Sequence, residues 1–61
     1  MSYPSSLVIF SELRTILSVS EKIEELDFTQ DVILKKKYLD MYIQDIAKAC
    51  SRISSILFNS Q

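Results

Sequence analysis

Apolar residues recur with helical period in two long stretches of the chain, separated by one polar break. In the first, Ile9, Leu13, Ile16, Ser20 and Ile23 are spaced by four, three, four and three residues. That is the rhythm of a coiled-coil-like seam. Phe10 and Leu17 widen the seam on one side, and Val8, Val19 and Leu26 widen it on the other. Ser11, Arg14, Ser18, Lys22 and Glu25 make the polar face. In the second stretch Val32, Leu39, Ile46 and Ile53 stand seven apart. Lys35, Tyr42, Ala49 and Ile56 take the companion positions, and Ile43, Cys50 and Leu57 flank them. Asp40, Gln44, Lys48, Ser51 and Ser55 form the wet face. The pattern predicts helix one over about 5–26, a turn at 27–30 and helix two from about 30 to 58.

Local chemistry agrees with these boundaries. Pro4 suits a first helical turn or the residues just before one. Ser5 or Ser6 can cap helix one, or Ser2 or Tyr3 if Pro4 is its first residue. Ser18 and Glu21 have capping-box spacing, which makes Ser18 to Glu21 a place where the helix could break; a continuous helix is expected. Asp27 with Gln30, or Thr29 alone, can cap helix two. Phe28 is expected to fold over the end of the core, and the Lys35 stem to lie on apolar surface with its head in water. Asn59 to Gln61 reads as a frayed end. A connection this short makes the helices antiparallel neighbours. The expected fold class is therefore all-α, an antiparallel helical hairpin of two long helices, with residues 1–61 forming one domain.

Two rods that hide only each other need one narrow stripe apiece, and these carry more. Leu34, Tyr38 and Met41 run beside the main seam of helix two at i, i+4 and i+7, and Val8, Val19 and Leu26 are similarly offset on helix one. Leu7, Ile33 and Phe58 also lie off the seams. Completion to a four-helix bundle, by self-association or by a partner chain, would bury them. The expected partner-binding residues are Val8, Val19, Leu34, Tyr38 and Met41.

Length sharpens this expectation. A chain of 61 residues is expected to bury about 60% of its unfolded surface. Apolar burial on that scale, on the order of 90 kcal/mol, is matched by the entropy of ordering the chain. Such domains usually need a staple or a partner. One cysteine, Cys50, and no histidine offer neither an internal disulfide nor a metal cluster. A protein partner or a homo-oligomer, with a dimer favoured, is the expected support.

Charge and composition narrow the function classes. A net charge of −1 gives no bias toward nucleic acid or anionic lipid, so nucleic acid is not the expected partner. The absence of glycine argues against phosphate-cradling loops and tight hairpin turns. No apolar run is long enough to span a membrane, and Leu7 to Phe10, with no basic residue before it, does not read as a signal peptide. Together with the lone thiol, this places the expected location in the cytoplasm.

Side chains that could carry chemistry have simpler roles. Cys50 lacks the histidine a catalytic thiol needs and is expected as a core residue. Lys35, Lys36 and Lys37 point around the helix and are expected to be a solvated face. Glu21, Glu24 and Glu25 have no cleft for acid–base work. Tyr38 and Tyr42, one turn apart, fit protein contact as apolar bodies with polar tips. No catalytic, cofactor-binding or metal-binding residue is expected. The function expected is that of a non-enzymatic interaction module: a small chaperone, adaptor or assembly subunit.

Two resemblances accompany this reading. The length, the hairpin and the acidic turn at Glu24, Glu25, Leu26 and Asp27 look like the plasmid copy-number RNA-binding hairpins. That resemblance implies an antiparallel four-helix dimer binding RNA through its first helix, where this sequence offers Arg14 and Lys22. A homodimeric RNA- or DNA-binding regulator is thus the alternative function. In size and pattern the chain also resembles the helical-hairpin co-chaperones of type III secretion, which implies shielding of export subunits by apolar helix faces.

Overall fold

The computed structural model describes residues 5–59, so the expectations for Ser2, Tyr3, Pro4, Ser60 and Gln61 lie outside the described residues. Helix α1 spans Ser5–Glu25 and helix α2 spans Val32–Asn59, joined through a 3-10 turn at Leu26–Phe28. The two helices pack against each other along a rod with extents of 47 × 15 × 15 Å. The protein is an all-helical hairpin.

Helix α1 begins with Ser5 and Ser6 already inside it. It runs unbroken through Ser18 to Glu21, and Val19, the middle of that stretch, is its one buried residue. Packing decides this, since a break there would expose the side chain that α2 covers. Thr15 donates its hydroxyl to the Ser11 carbonyl at 3.2 Å, satisfying the side chain within the helix.

The connection turns without glycine because no residue in it needs the left-handed region. Among the described residues none has a positive φ. The 3-10 turn tightens the end of α1, and the Thr29 N–H closes it on the Leu26 carbonyl at 2.9 Å. Thr29 is then extended (φ −82°, ψ 124°) and swings the chain outward. The cap of α2 is Asp31, not Asp27 or Thr29: Asp31 Oδ1 accepts from the Leu34 N–H at 3.1 Å, and its carbonyl takes the Lys35 N–H at 2.9 Å. Asp27 is held in the 3-10 turn, where it meets Lys35 Nζ at 3.8 Å. Phe28 does not fold over the core. It is 86% exposed, because half-buried Leu26 takes the inward position of that turn.

The seam itself is rotated from the expected one on α1. Inward positions are Ile9, Glu12, Ile16, Val19, Ile23 and Leu26, whereas Leu13 and Ser20 are exposed. Rotation by about one residue replaces a serine with Val19 at the middle layer, so no hydroxyl is buried without a partner. It also brings in Glu12, which is tolerated because Arg52 Nη2 reaches its Oε2 at 2.8 Å. On α2 the inward positions are Lys35, Leu39, Tyr42, Asp45, Ile46, Ala49, Ile53 and Ile56. Ala49 is fully buried. Val32, expected on the seam, lies at the helix end and is exposed.

Candidate interaction surface

The hairpin hides little of its apolar content. Only Val19 and Ala49 are buried among the described residues, while thirteen large apolar side chains are exposed. Two rods meeting at a small residue leave the flanks of both in water. What the flanks carry follows from helix geometry. In an antiparallel pair of right-handed helices, the residue following an inward one falls on the same flank of both rods, and the residue preceding it on the other.

The flank of following residues is apolar. On α1 it holds Phe10, Leu13 and Leu17, after Ile9, Glu12 and Ile16; on α2 it holds Ile43, Cys50 and Leu57, after Tyr42, Ala49 and Ile56. All six are exposed, with Leu17 at 61%. Ala47 and Ser54 fill the intervening α2 positions. Acidic and basic residues return to this flank only toward the turn, at Glu24, Asp27, Lys36 and Asp40.

The flank of preceding residues is mixed. Near the turn it carries Leu34, Tyr38 and Met41, all exposed. The Tyr38 and Tyr42 rings stack with centroids 6.2 Å apart, which steadies Tyr38 at the edge of the seam. Farther along, an open groove of about 970 Å³ wraps α1 from Leu13 and Leu17 over Arg14 to Lys22, and meets Lys48 and Arg52 of α2. Four of the seven basic residues of the chain line it, with Asp45 the only acidic lining residue.

The Glu12–Arg52 contact borders this groove. The nitrogen lies close to Glu12 Oε2, but at an angle unsuited to a hydrogen bond, so the contact is an ion pair. The side-chain approach of Arg52, the largest cause, outweighs desolvation and holds the Glu12 carboxyl below its ordinary range; the Arg52 charge adds to it. The same contact holds Arg52 above its own ordinary range.

The residues expected to contact a partner therefore divide. Val19 is 6% exposed inside the hairpin and is already covered by α2; Val8, three turns away on the same helix, is half-buried. Leu34, Tyr38 and Met41 stand together on one exposed flank. Cys50, expected in the core, is exposed. Sequence reasoning missed the stripe of Phe10, Leu13, Leu17, Ile43, Cys50 and Leu57 as a surface, because it assigned Leu13 inward and Cys50 to the core. The signal was present in Val19 and Leu26, which offer α1 a second inward register free of serine.

Among the described residues no group of three or more potential metal ligands comes together, and no helix is long and apolar enough to cross a membrane. Comparison with known proteins finds no matching family model, no similar curated protein and no similar solved structure.

Proposed function

We propose that this hairpin is a non-enzymatic protein–protein interaction module, a small chaperone, adaptor or assembly subunit that buries its apolar flanks against another chain. The observation that carries this reading is a surplus of surface. The hairpin exposes 5230 Å², whereas a compact monomer of its mass exposes about 4,100 Å². The unfolded chain exposes about 10,300 Å² by the same scaling, so folding into the hairpin hides about half of it rather than about 60%. The shortfall, about 1,100 Å², exceeds what one partner contributes to a standard interface, about 800 Å².

Size-exclusion chromatography with light scattering, run on the purified chain and on extract of its native source, tests the reading. Tyr38→Ala and Met41→Asp are expected to weaken assembly, and Ser55→Ala, on the wet face, to leave it unchanged. Equal behaviour of all three variants would count against a role for the Leu34–Met41 flank.

A second reading has one observation in its favour. The groove shared by Arg14, Lys22, Lys48 and Arg52 suits a polyanion, as a homodimeric RNA- or DNA-binding regulator would require. If all four met phosphates, the logarithm of affinity would fall with that of salt at a slope of about −3. Gel-shift titration at two salt concentrations separates the readings: no complex at low salt removes this one.

A further inference from the structure

We propose that the flank carrying Leu34, Tyr38 and Met41 seats a third helix, supplied by a partner protein, that is apolar over the half nearer the turn and acidic over the half nearer the open pole. The proposal rests on the interaction reading above and names the chemistry of its partner.

The seat is continuous. On α2 the residues of this flank are Leu34, Tyr38, Met41, Asp45, Lys48 and Arg52, spaced by four, three, four, three and four. At 1.5 Å per residue they form one stripe about 27 Å long, the reach of a helix of about 18 residues. On the same flank α1 brings Ser11, Thr15, Ser18 and Lys22. Three of these are small, and the Thr15 hydroxyl is turned back onto the Ser11 carbonyl at 3.2 Å. α1 therefore makes a low wall beside the taller α2 stripe, and the open groove of about 970 Å³ brings the two walls together. A rod laid in the cleft between two antiparallel helices extends the pair toward a bundle.

The stripe changes character along its length, and this selects the occupant. Leu34, Tyr38 and Met41 are 41, 38 and 48% exposed. Beyond Asp45 the lining is cationic, with Lys48 and Arg52 of α2 joined by Arg14 and Lys22 of α1. Arg52 is held by Glu12, and the charge of Asp45 also acts on it. The ion pairs among the described residues, Lys35–Asp27 and Arg52–Glu12, leave Arg14, Lys22 and Lys48 exposed without a carboxylate. Toward the turn α1 contributes Glu25 instead, so a partner's acidic half is repelled from that end. A polynucleotide fits less well. Its phosphates would pass Asp45 and then meet Leu34, Met41 and a Tyr38 ring already stacked on Tyr42. A helix with carboxylates along one half and leucine-like side chains along the other answers both halves of the seat.

The experiment is fluorescence anisotropy of labelled synthetic helices titrated with the full chain. The probe is a peptide of about 18 residues, with leucines on one face of one half and glutamates along the other, made in both chain directions. The controls are the same peptides with lysine in place of glutamate, and a short RNA duplex. The glutamate peptide, in one of its directions, is expected to bind at least about tenfold more tightly than its lysine counterpart, and more tightly than the duplex at the same salt. Met41→Asp, and Lys22→Glu combined with Lys48→Glu, are each expected to weaken it about tenfold or more. Lys37→Glu, an exposed cation off the stripe, is expected to change it less than about threefold. All these positions are exposed, so helicity by circular dichroism is expected to survive; Lys48→Ala serves where the double reversal does not fold.

Equal binding of the lysine peptide overturns the acidic assignment. Indifference to Met41→Asp, or a loss with Lys37→Glu as large as with the double reversal, overturns the placement. Tighter binding of the duplex overturns the protein partner in favour of nucleic acid. No peptide complex, in a chain that light scattering finds assembled with another protein, overturns the seat and leaves the broader interaction reading standing. No peptide complex and no assembly removes both.

Discussion

Ala49→Leu is the sharpest probe of how the rods meet. Ala49 has no exposed surface and lies on the inward face of α2. Three added carbons have no space there, so the rods must separate or neighbouring side chains must leave their preferred rotamers. Overpacking of this kind costs about 1–3 kcal/mol. For a domain of this size each kcal/mol lowers the melting temperature by about 4–8 °C, so a fall of roughly 5–20 °C is expected. Helix propensity separates alanine from leucine by only a few tenths of a kcal/mol and cannot supply that change. The control is Gln44→Leu, which adds an apolar side chain at an exposed position of the same helix and is expected to stay within about 0.5 kcal/mol of the parent. Both are measured by thermal and urea denaturation at one fixed protein concentration, because association would shift both curves. An Ala49→Leu chain as stable as the Gln44→Leu chain would show that Ala49 does not lie at the tight contact, and the assignment of inward and flanking positions would fail with it.

Other substitutions test single interactions. Asp31→Ala removes the side-chain cap of α2 and is expected to cost about 1 kcal/mol, read by denaturation. Asp27→Asn breaks an exposed ion pair to Lys35 and is expected to change stability by less than about 1 kcal/mol. The Glu12 carboxyl titrates below its ordinary value in the hairpin. Its contribution is therefore complete above the unfolded carboxylate pKa near 4.5 and is lost as pH falls through the lowered folded value. Glu12→Gln should flatten that acid limb of the stability curve, and an unchanged limb would place the titrating group elsewhere.

The two rods and the break between them could be read from periodicity because a repeat near 3.5 residues extends over most of each helix. Which side of α1 turns inward could not. Leu13 and Ser20 continue the same rhythm as Glu12 and Val19, one residue out of phase. Val19 against Ser20 favours one phase and Leu13 against Glu12 the other, so the pattern of α1 alone is divided, and the partner that makes Glu12 tolerable, Arg52, belongs to the other rod. The cap was ambiguous for a similar reason. Asp27, Thr29 and Asp31 all have the right chemistry, and the choice falls to Asp31 only once the 3-10 turn has absorbed Asp27. Leu34, Tyr38 and Met41 were recognisable as a surface stripe because their spacing places them off the α2 seam in any register. Cys50 was misplaced because a lone thiol beside a seam looks the same inward or one step around.

Ser5 and Asn59 emerge at the same pole of the rod, opposite the turn. Tension between them would peel α1 from α2 one layer at a time, beginning at Ile9 and Ile56, rather than shear all layers together. Such a geometry yields at low force and re-zips from the turn outward. Anything that engages both ends could therefore open the hairpin gradually, exposing Ile53 before it reaches Ala49 and Ile16.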